Sequence, residues 1–461
     1  MLERWNHKKI GKLDYAILLS VMIVMYFTLM YTDIVITYTH GINFMTCLFD
    51  GNLEDFYAYS IEHAYYSVGA VYYWPIYLLF GIWNLPCWIA TNVFQINMFH
   101  PLLLLWCKTL VVIFAIGSCY MFDKILKRME YDEVHRKFAL FLLVSSLNFI
   151  IPTLTVAQYD IICVFFILWG IKEFIYSEKI SWKVLVIFSV AISMKIFAIF
   201  IFIPLVFLAE KRILYVLKDI VLGLVMLLVS VAPYMRDESY IELTGWFNQL
   251  MTGRMFEAVI DAGNTDIPIF ICLFIGICIY AYCISAKGMH EYYEYIIWLS
   301  CAVFAAFFIF VQTHPYWIIL IAPFIVMLLM LNDKQVKVNV ILEFFVNVTL
   351  TFVYALLYGN YYNNYNGKYL ILNLLGVASA ETMDITPGSY LGPDLDKNNL
   401  VLGAYAAFVA CMLAFLVLNH PKKVQQKKNV NIVSQVDHGM LYLREACVVL
   451  SLVISMFFAL N

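Results

Sequence analysis

Asp33, Lys108, the run Gln158-Tyr159-Asp160, Lys195, His314 and Tyr316 are polar residues set into or against long apolar stretches. Charge inside a bilayer is costly and usually faces an interior cavity, so each is a candidate functional group. A carboxylate such as Asp33 can take a proton from a hydroxyl. Two buried lysines and a histidine suit a phosphate head group, which offers several anionic oxygens to cationic donors. Lys195 is flanked by apolar sequence on both sides and cannot easily snorkel to an interface. Each residue also has a structural alternative. Asp33 could be a helix end meeting water, and His314 a turn residue capping a helix. Asp160 could mark a helix N-terminus, where a carboxylate is favoured.

The elements that must position these groups are membrane helices. Of 461 residues, 63% are hydrophobic and 13% charged, with a mean hydropathy of +0.82. Soluble domains average about 25% charged residues. The apolar runs are too long and continuous for barrel strands, so the fold class is all-α and polytopic. Thirteen crossings are expected: 14–32, 101–122, 138–154, 158–177, 183–195, 197–209, 213–234, 268–286, 293–312, 315–331, 340–358, 400–418 and 441–460. The N-terminal apolar run has no small-residue cleavage site after it and is expected to stay as a span. The net charge of −3 says less than where the charges sit.

Arg4, Lys8, Lys9 and Lys12 precede the first run, and no Lys or Arg occurs from Asp33 to His100. The N-terminus is therefore expected in the cytoplasm and Asp33 on the outer face. Further basic residues cluster in 123–137, 172–183, 210–218 and 422–428, with Arg444 also assigned to the cytoplasmic side. Outer loops carry only Arg236, Arg254, Lys368 and Lys397. An odd number of crossings leaves the C-terminus outside. The segment 72–93 is as apolar as a span but carries Pro75, Pro86 and three tryptophans. It is read as outer-leaflet or re-entrant helices within a long outer loop, 33–100.

Residues 183–209 are too few for two full crossings, which need about 40. They read as two half-length helices with Lys195 at the tip, a backbone irregularity tolerated beside protein or a watery cavity. Acidic outer loops are expected over 235–267 and 359–399, and KKVQQKK reads as a cytoplasmic linker. The eleven cysteines show no metal-like spacing. Cys47 and Cys87 both fall on the outer side, where a disulfide is conceivable. The chain reads as a membrane module over 1–331 followed by C-terminal transmembrane helices over 332–461.

The order of these features carries a resemblance. It runs from the first span and Asp33, through YYWP in 71–93 and AQYD at 157–160, to AISMKIFAIFIFIPL at 191–205 and THPYWIILIAPF at 313–324. This resembles the GT-C superfamily of membrane glycosyltransferases and is most similar to glycosyltransferase family 87. Three positions depart from the family pattern: Ala157 stands for Gly, Ile196 for Pro, and no basic residue follows Pro315.

The resemblance implies an inverting transfer of mannose or another hexose from a polyprenyl-phosphate donor to a lipid or glycan hydroxyl. It implies an outer-face site in a cell membrane, with a bacterial plasma membrane expected. Asp33 would be the base. Lys108, Gln158, Tyr159, Asp160, Lys195, His314 and Tyr316 would bind substrate. The resemblance fixes no cofactor; a divalent cation, Mg or Mn, could share the charge on the leaving phosphate, with Asp33 and Asp160 as its ligands rather than as base and orienter. No nucleic-acid partner is expected. The rival class is a transporter or flippase with a midplane site in broken helices, although no internal repeat supports it. A polysaccharide polymerase would call for arginine-rich outer loops, and these are acidic.

Overall fold

A computed structural model describes residues 11–286, 288–358, 397–423 and 436–460. The chain is an α-helical polytopic membrane protein. Five described helices are long and apolar enough to cross a membrane, or up to eight if three bent pairs each count as one span. The only strands among the described residues form a small hairpin, Val259–Asp261 (β1) with Asp266–Pro268 (β2).

The first apolar run does not end in a loop at Asp33. Helix α1 (Lys12–Thr28) breaks, and α2 (Thr32–Asp50) restarts at 58° to it. The region expected as the outer loop 33–100 is thus mostly helical, with α2 followed by α3 (Phe56–Glu62), α4 (Trp74–Trp83) and α5 (Leu85–Asn92). Pro75 and Pro86 each stand in the first turn of a helix, where a missing N–H costs nothing. Their helices are short, as the two prolines lead one to expect. Helix α4 packs against α2 through Gly41 and Gly81. A Cβ on Gly81 would lie 2.9 Å from the Gly41 carbonyl oxygen, so the contact requires glycine.

Helix α6 (Pro101–Arg128) runs six residues beyond the expected span and takes in part of the basic loop. The span expected at 138–154 is two pieces, α7 (Glu133–Val144) and α8 (Leu147–Ile150), the latter continuing into a π turn, Ile151–Thr155. They meet at 65°. Then come α9 (Asp160–Ser177) and the half-length pair α10 (Trp182–Met194) and α11 (Ile199–Ala209). Lys195 sits in extended backbone between the two, at the expected break. Helices α12 (Ile213–Gly223) and α13 (Val225–Val231) form another bent pair. The expected acidic loop 235–267 is instead α14 (Glu238–Gly253) and the hairpin.

Helices α15 (Ile269–Cys283), α16 (Met289–Phe310), α17 (Ala322–Leu331) and α18 (Val336–Leu357) follow. Most of the expected outer loop 359–399 and of the KKVQQKK linker lies outside the described residues, as do Arg4, Lys8, Lys9 and Lys368. The last helices are α19 (Lys397–Leu418) and α20 (His438–Leu460). Cys47 and Cys87 are free thiols, and both are buried.

Candidate functional site

Three backbone breaks build the site. At the first, α1 ends, and Lys108 on α6 meets carbonyls of its last turn and of the π turn beside it, that of Met25 also accepting the Leu29 N–H. The Lys108 Nζ donates to the carbonyls of Met25 (2.8 Å), Tyr26 (3.0 Å), Leu154 (2.8 Å) and Leu29. The Tyr31 N–H donates to the Val156 carbonyl at 3.3 Å, tying this break to the next. Helix α2 then begins with Asp33 in its first turn, where the exposed N–H groups favour a carboxylate.

At the second break the π turn runs into Val156 and Ala157. Ala157 takes a left-handed backbone, φ 58°, a conformation that favours glycine. That turn carries Gln158 and Tyr159 into the interior and starts α9 at Asp160. Gln158 is buried, and its Nε2 donates to Asp33 Oδ2 at 2.9 Å. Tyr316 Oη donates to the same oxygen at 2.5 Å, from the 3-10 helix Pro315–Leu320. Asp33 Oδ1 takes no hydrogen bond among the described residues, and Asp33 is only partly buried.

At the third break, Lys195 Nζ lies 2.9 Å from Asp160 Oδ1, and both side chains are buried. It also donates to Tyr72 Oη at 3.4 Å. The ammonium stands over the rings of Tyr72 (4.7 Å) and Tyr159 (5.0 Å), a cation–π setting that holds it in place. The second carboxylate oxygen of Asp160 has no hydrogen-bond partner. His314 stacks on Tyr316 and makes no helix-capping bond with its side chain. Its imidazole is pushed down to about 4 by burial and by the charges of Arg254 and Lys195, so it is neutral at pH 7.

The structure therefore gathers Asp33, Gln158, Tyr159, Asp160, Lys195, His314 and Tyr316, from residues up to 283 positions apart. Lys108 is not brought to this cluster. Its ammonium is engaged by four carbonyls, and it supports the break from which Asp33 hangs. Lys195 is also not free, because Asp160 answers its charge. Sequence reasoning does not single out Tyr72, although it lies in the 71–93 stretch.

It also misses the pairing of Arg444 with Glu343. Arg444, expected on the cytoplasmic side, is fully buried and paired with Glu343 between α20 and α18. Its guanidinium also donates to Ser145 Oγ (3.2 Å) and the Leu142 carbonyl (2.6 Å), the frayed end of α7. A Glu four residues from an Asn on α18 was the available signal. Beside His314, a cleft of about 320 Å³ is lined by Val311, Thr313, Tyr354, Leu357, Val401 and Tyr405 among others.

Among the described residues no group of three or more His, Cys, Asp or Glu side chains converges as a metal site. Asp33 and Asp160, the two carboxylates expected as ligands of a divalent cation, each keep one oxygen without a hydrogen bond among the described residues. Comparison of the chain with protein-family models, with curated proteins and with solved structures finds no match.

Proposed function

We propose that this chain is a membrane glycosyltransferase of the GT-C type. It would move a hexose, mannose or another, from a polyprenyl-phosphate donor to a hydroxyl of a lipid or glycan at the outer face. The matching topology is thirteen crossings with a cytoplasmic N-terminus. The observation that carries the reading is the state of Asp33. One carboxylate oxygen is held by Gln158 and Tyr316, the other takes no hydrogen bond among the described residues, and the residue is partly exposed beside a buried lysine.

In this reading the acceptor hydroxyl lies against Asp33 Oδ1. Its oxygen attacks the anomeric carbon, and its proton passes to Oδ1. The bond from that carbon to the phosphate oxygen breaks, and the electron pair leaves with the polyprenyl phosphate. General-base help of this kind is worth about 10²–10⁴-fold. Lys195 would stabilise the charge growing on the leaving phosphate. The apolar cleft beside Thr313 offers a place for part of the prenyl chain. No step here needs a metal.

The test is transfer of radiolabelled mannose or glucose from its polyprenyl phosphate to membrane lipids by purified protein. Transfer that disappears in Asp33→Asn supports the reading. A second reading, a transporter or flippase, is favoured by the buried Lys195–Asp160 pair in a broken helix. It predicts movement of a lipid-linked substrate across vesicles and no glycosyl transfer by the wild-type protein.

A further inference from the structure

The ends of α6 and α9 carry a charged surface that the proposed reaction does not use. The stretches 124–128 and 172–183 hold six basic side chains against two acidic ones, Glu173 and Glu178. The two helices pack side by side. Phe114 of α6 meets Phe165 of α9 with ring centroids 5.2 Å apart, and Arg128 reaches Glu178 at 3.1 Å. Glu173 is taken by Lys172 at 2.6 Å, and Asp123, next to the first stretch, by Arg136 at 2.5 Å. Among the described residues Lys124, Lys127, Lys179 and Lys183 make no ion pair.

Three aromatic side chains lie among these cations. Tyr120, Tyr176 and Trp182 are 56%, 45% and 70% exposed. Arg128 and Lys172 both stand over the Tyr176 ring, at 5.6 and 4.9 Å, with Lys124 over Tyr120 at 4.9 Å and Lys183 over Trp182 at 5.9 Å. Exposed Tyr and Trp at the ends of membrane helices mark the level of the lipid head groups. Long cationic side chains rooted there keep their charge in the same layer. Helix stability does not account for the charges. Lys127 and Arg128 suit the C-terminal end of α6, but Lys183 stands in the first turn of α10, where a cation is unfavourable. Lys179 lies between helices.

We infer that this surface binds the head group of an anionic phospholipid between the ends of α6 and α9. The four lysines whose charge no acidic side chain answers are the complement of the lipid's net negative charge. The surface stands at the far end of α9 from Asp160, about 25 Å along the axis. With the N-terminus in the cytoplasm, as in the proposed function, it faces the inner leaflet. A transferase and a transporter would keep it alike.

The test uses the full-length protein in detergent, with fluorescent phosphatidylglycerol and phosphatidylcholine as probes. Wild type should bind phosphatidylglycerol about tenfold more tightly or better, because several lysines act together. Lys124→Gln, Lys127→Gln, Lys179→Gln and Lys183→Gln, combined, should abolish that preference and leave phosphatidylcholine binding and the melting temperature unchanged. Lys12→Gln, Lys137→Gln, Lys218→Gln and Lys422→Gln, combined, remove as much charge elsewhere and should leave the preference intact. Equal loss in both variants would mean that net charge alone sets the preference, and would overturn the inference. So would a preference that survives in the first variant, or none in wild type. Lys179→Gln alone, outside any helix, should weaken phosphatidylglycerol about fivefold. An unchanged affinity there would overturn the inference even if the fourfold variant does not fold.

Discussion

In the proposed transfer Asp33 is the residue on which the chemistry turns, and its two oxygens would have different tasks. Asp33→Asn keeps the shape and can still accept on one side, but it cannot take a proton. Turnover should drop by about a hundredfold or more while donor binding holds. Full activity in this variant would sink the mechanism. His314 gives a pH signature. Its ordinary value is about 6.5, and in the fold it is depressed to about 4. The neutral form is therefore the one the fold prefers. Its stabilising contribution is whole above pH 6.5 and is lost as pH falls from there through 4. Thermal melts of wild type should lose stability over that window, and His314→Gln should flatten the slope. An identical slope in the variant would place the titration elsewhere.

At the scale of elements, the site depends on breaks that would be unstable without buried cations. Lys108 satisfies the end of α1, and Arg444 satisfies the end of α7. An unpartnered buried polar group costs about 1–3 kcal/mol. Lys108→Met, which fills similar space, should lower the melting temperature and the folded yield, with no selective change in donor affinity. A variant that folds normally but loses donor binding would return Lys108 to the phosphate. Ala157 offers the opposite case. Its left-handed backbone is strained for a side chain, whereas glycine has more freedom to lose on folding. Ala157→Gly should be neutral or stabilising by up to about 1 kcal/mol in chemical denaturation. A clear destabilisation would show that the Ala157 methyl packs more than the strain costs.

At the scale of the molecule, topology decides the choice of outer face. Single cysteines at Ile61 and at Lys127 occupy exposed positions on the two sides the reading assigns. The background is manageable, since Cys272 and Cys283 are the exposed native thiols among the described residues. An impermeant reagent applied outside intact cells should label position 61 and spare position 127. Labelling of position 127 from outside would invert the placement of everything after α5.

Much of this protein is legible in its sequence. Mean hydropathy and the uneven placement of Lys and Arg mark a polytopic helical protein, because burying a backbone or a charge in lipid leaves few alternatives. The break at Lys195 follows from length and sidedness together, since the apolar stretch 183–209 is too short to cross twice yet has basic residues at both ends. That Asp33, Gln158 and Tyr316 share one hydrogen-bonded group does not follow from the sequence, because local pattern says nothing about which distant segments meet. Lys108 shows the limit most clearly. A buried lysine looks the same in sequence whether it faces a ligand or a frayed helix end. Only the packing of the end of α1 against the π turn places the carbonyls of Met25, Tyr26, Leu29 and Leu154 around its ammonium. The same holds for Arg444, whose basic side chain suits a cytoplasmic surface until α18 brings Glu343 to it. Where a charged side chain finds its partner is a property of long-range packing, and that is set by how the helices bend.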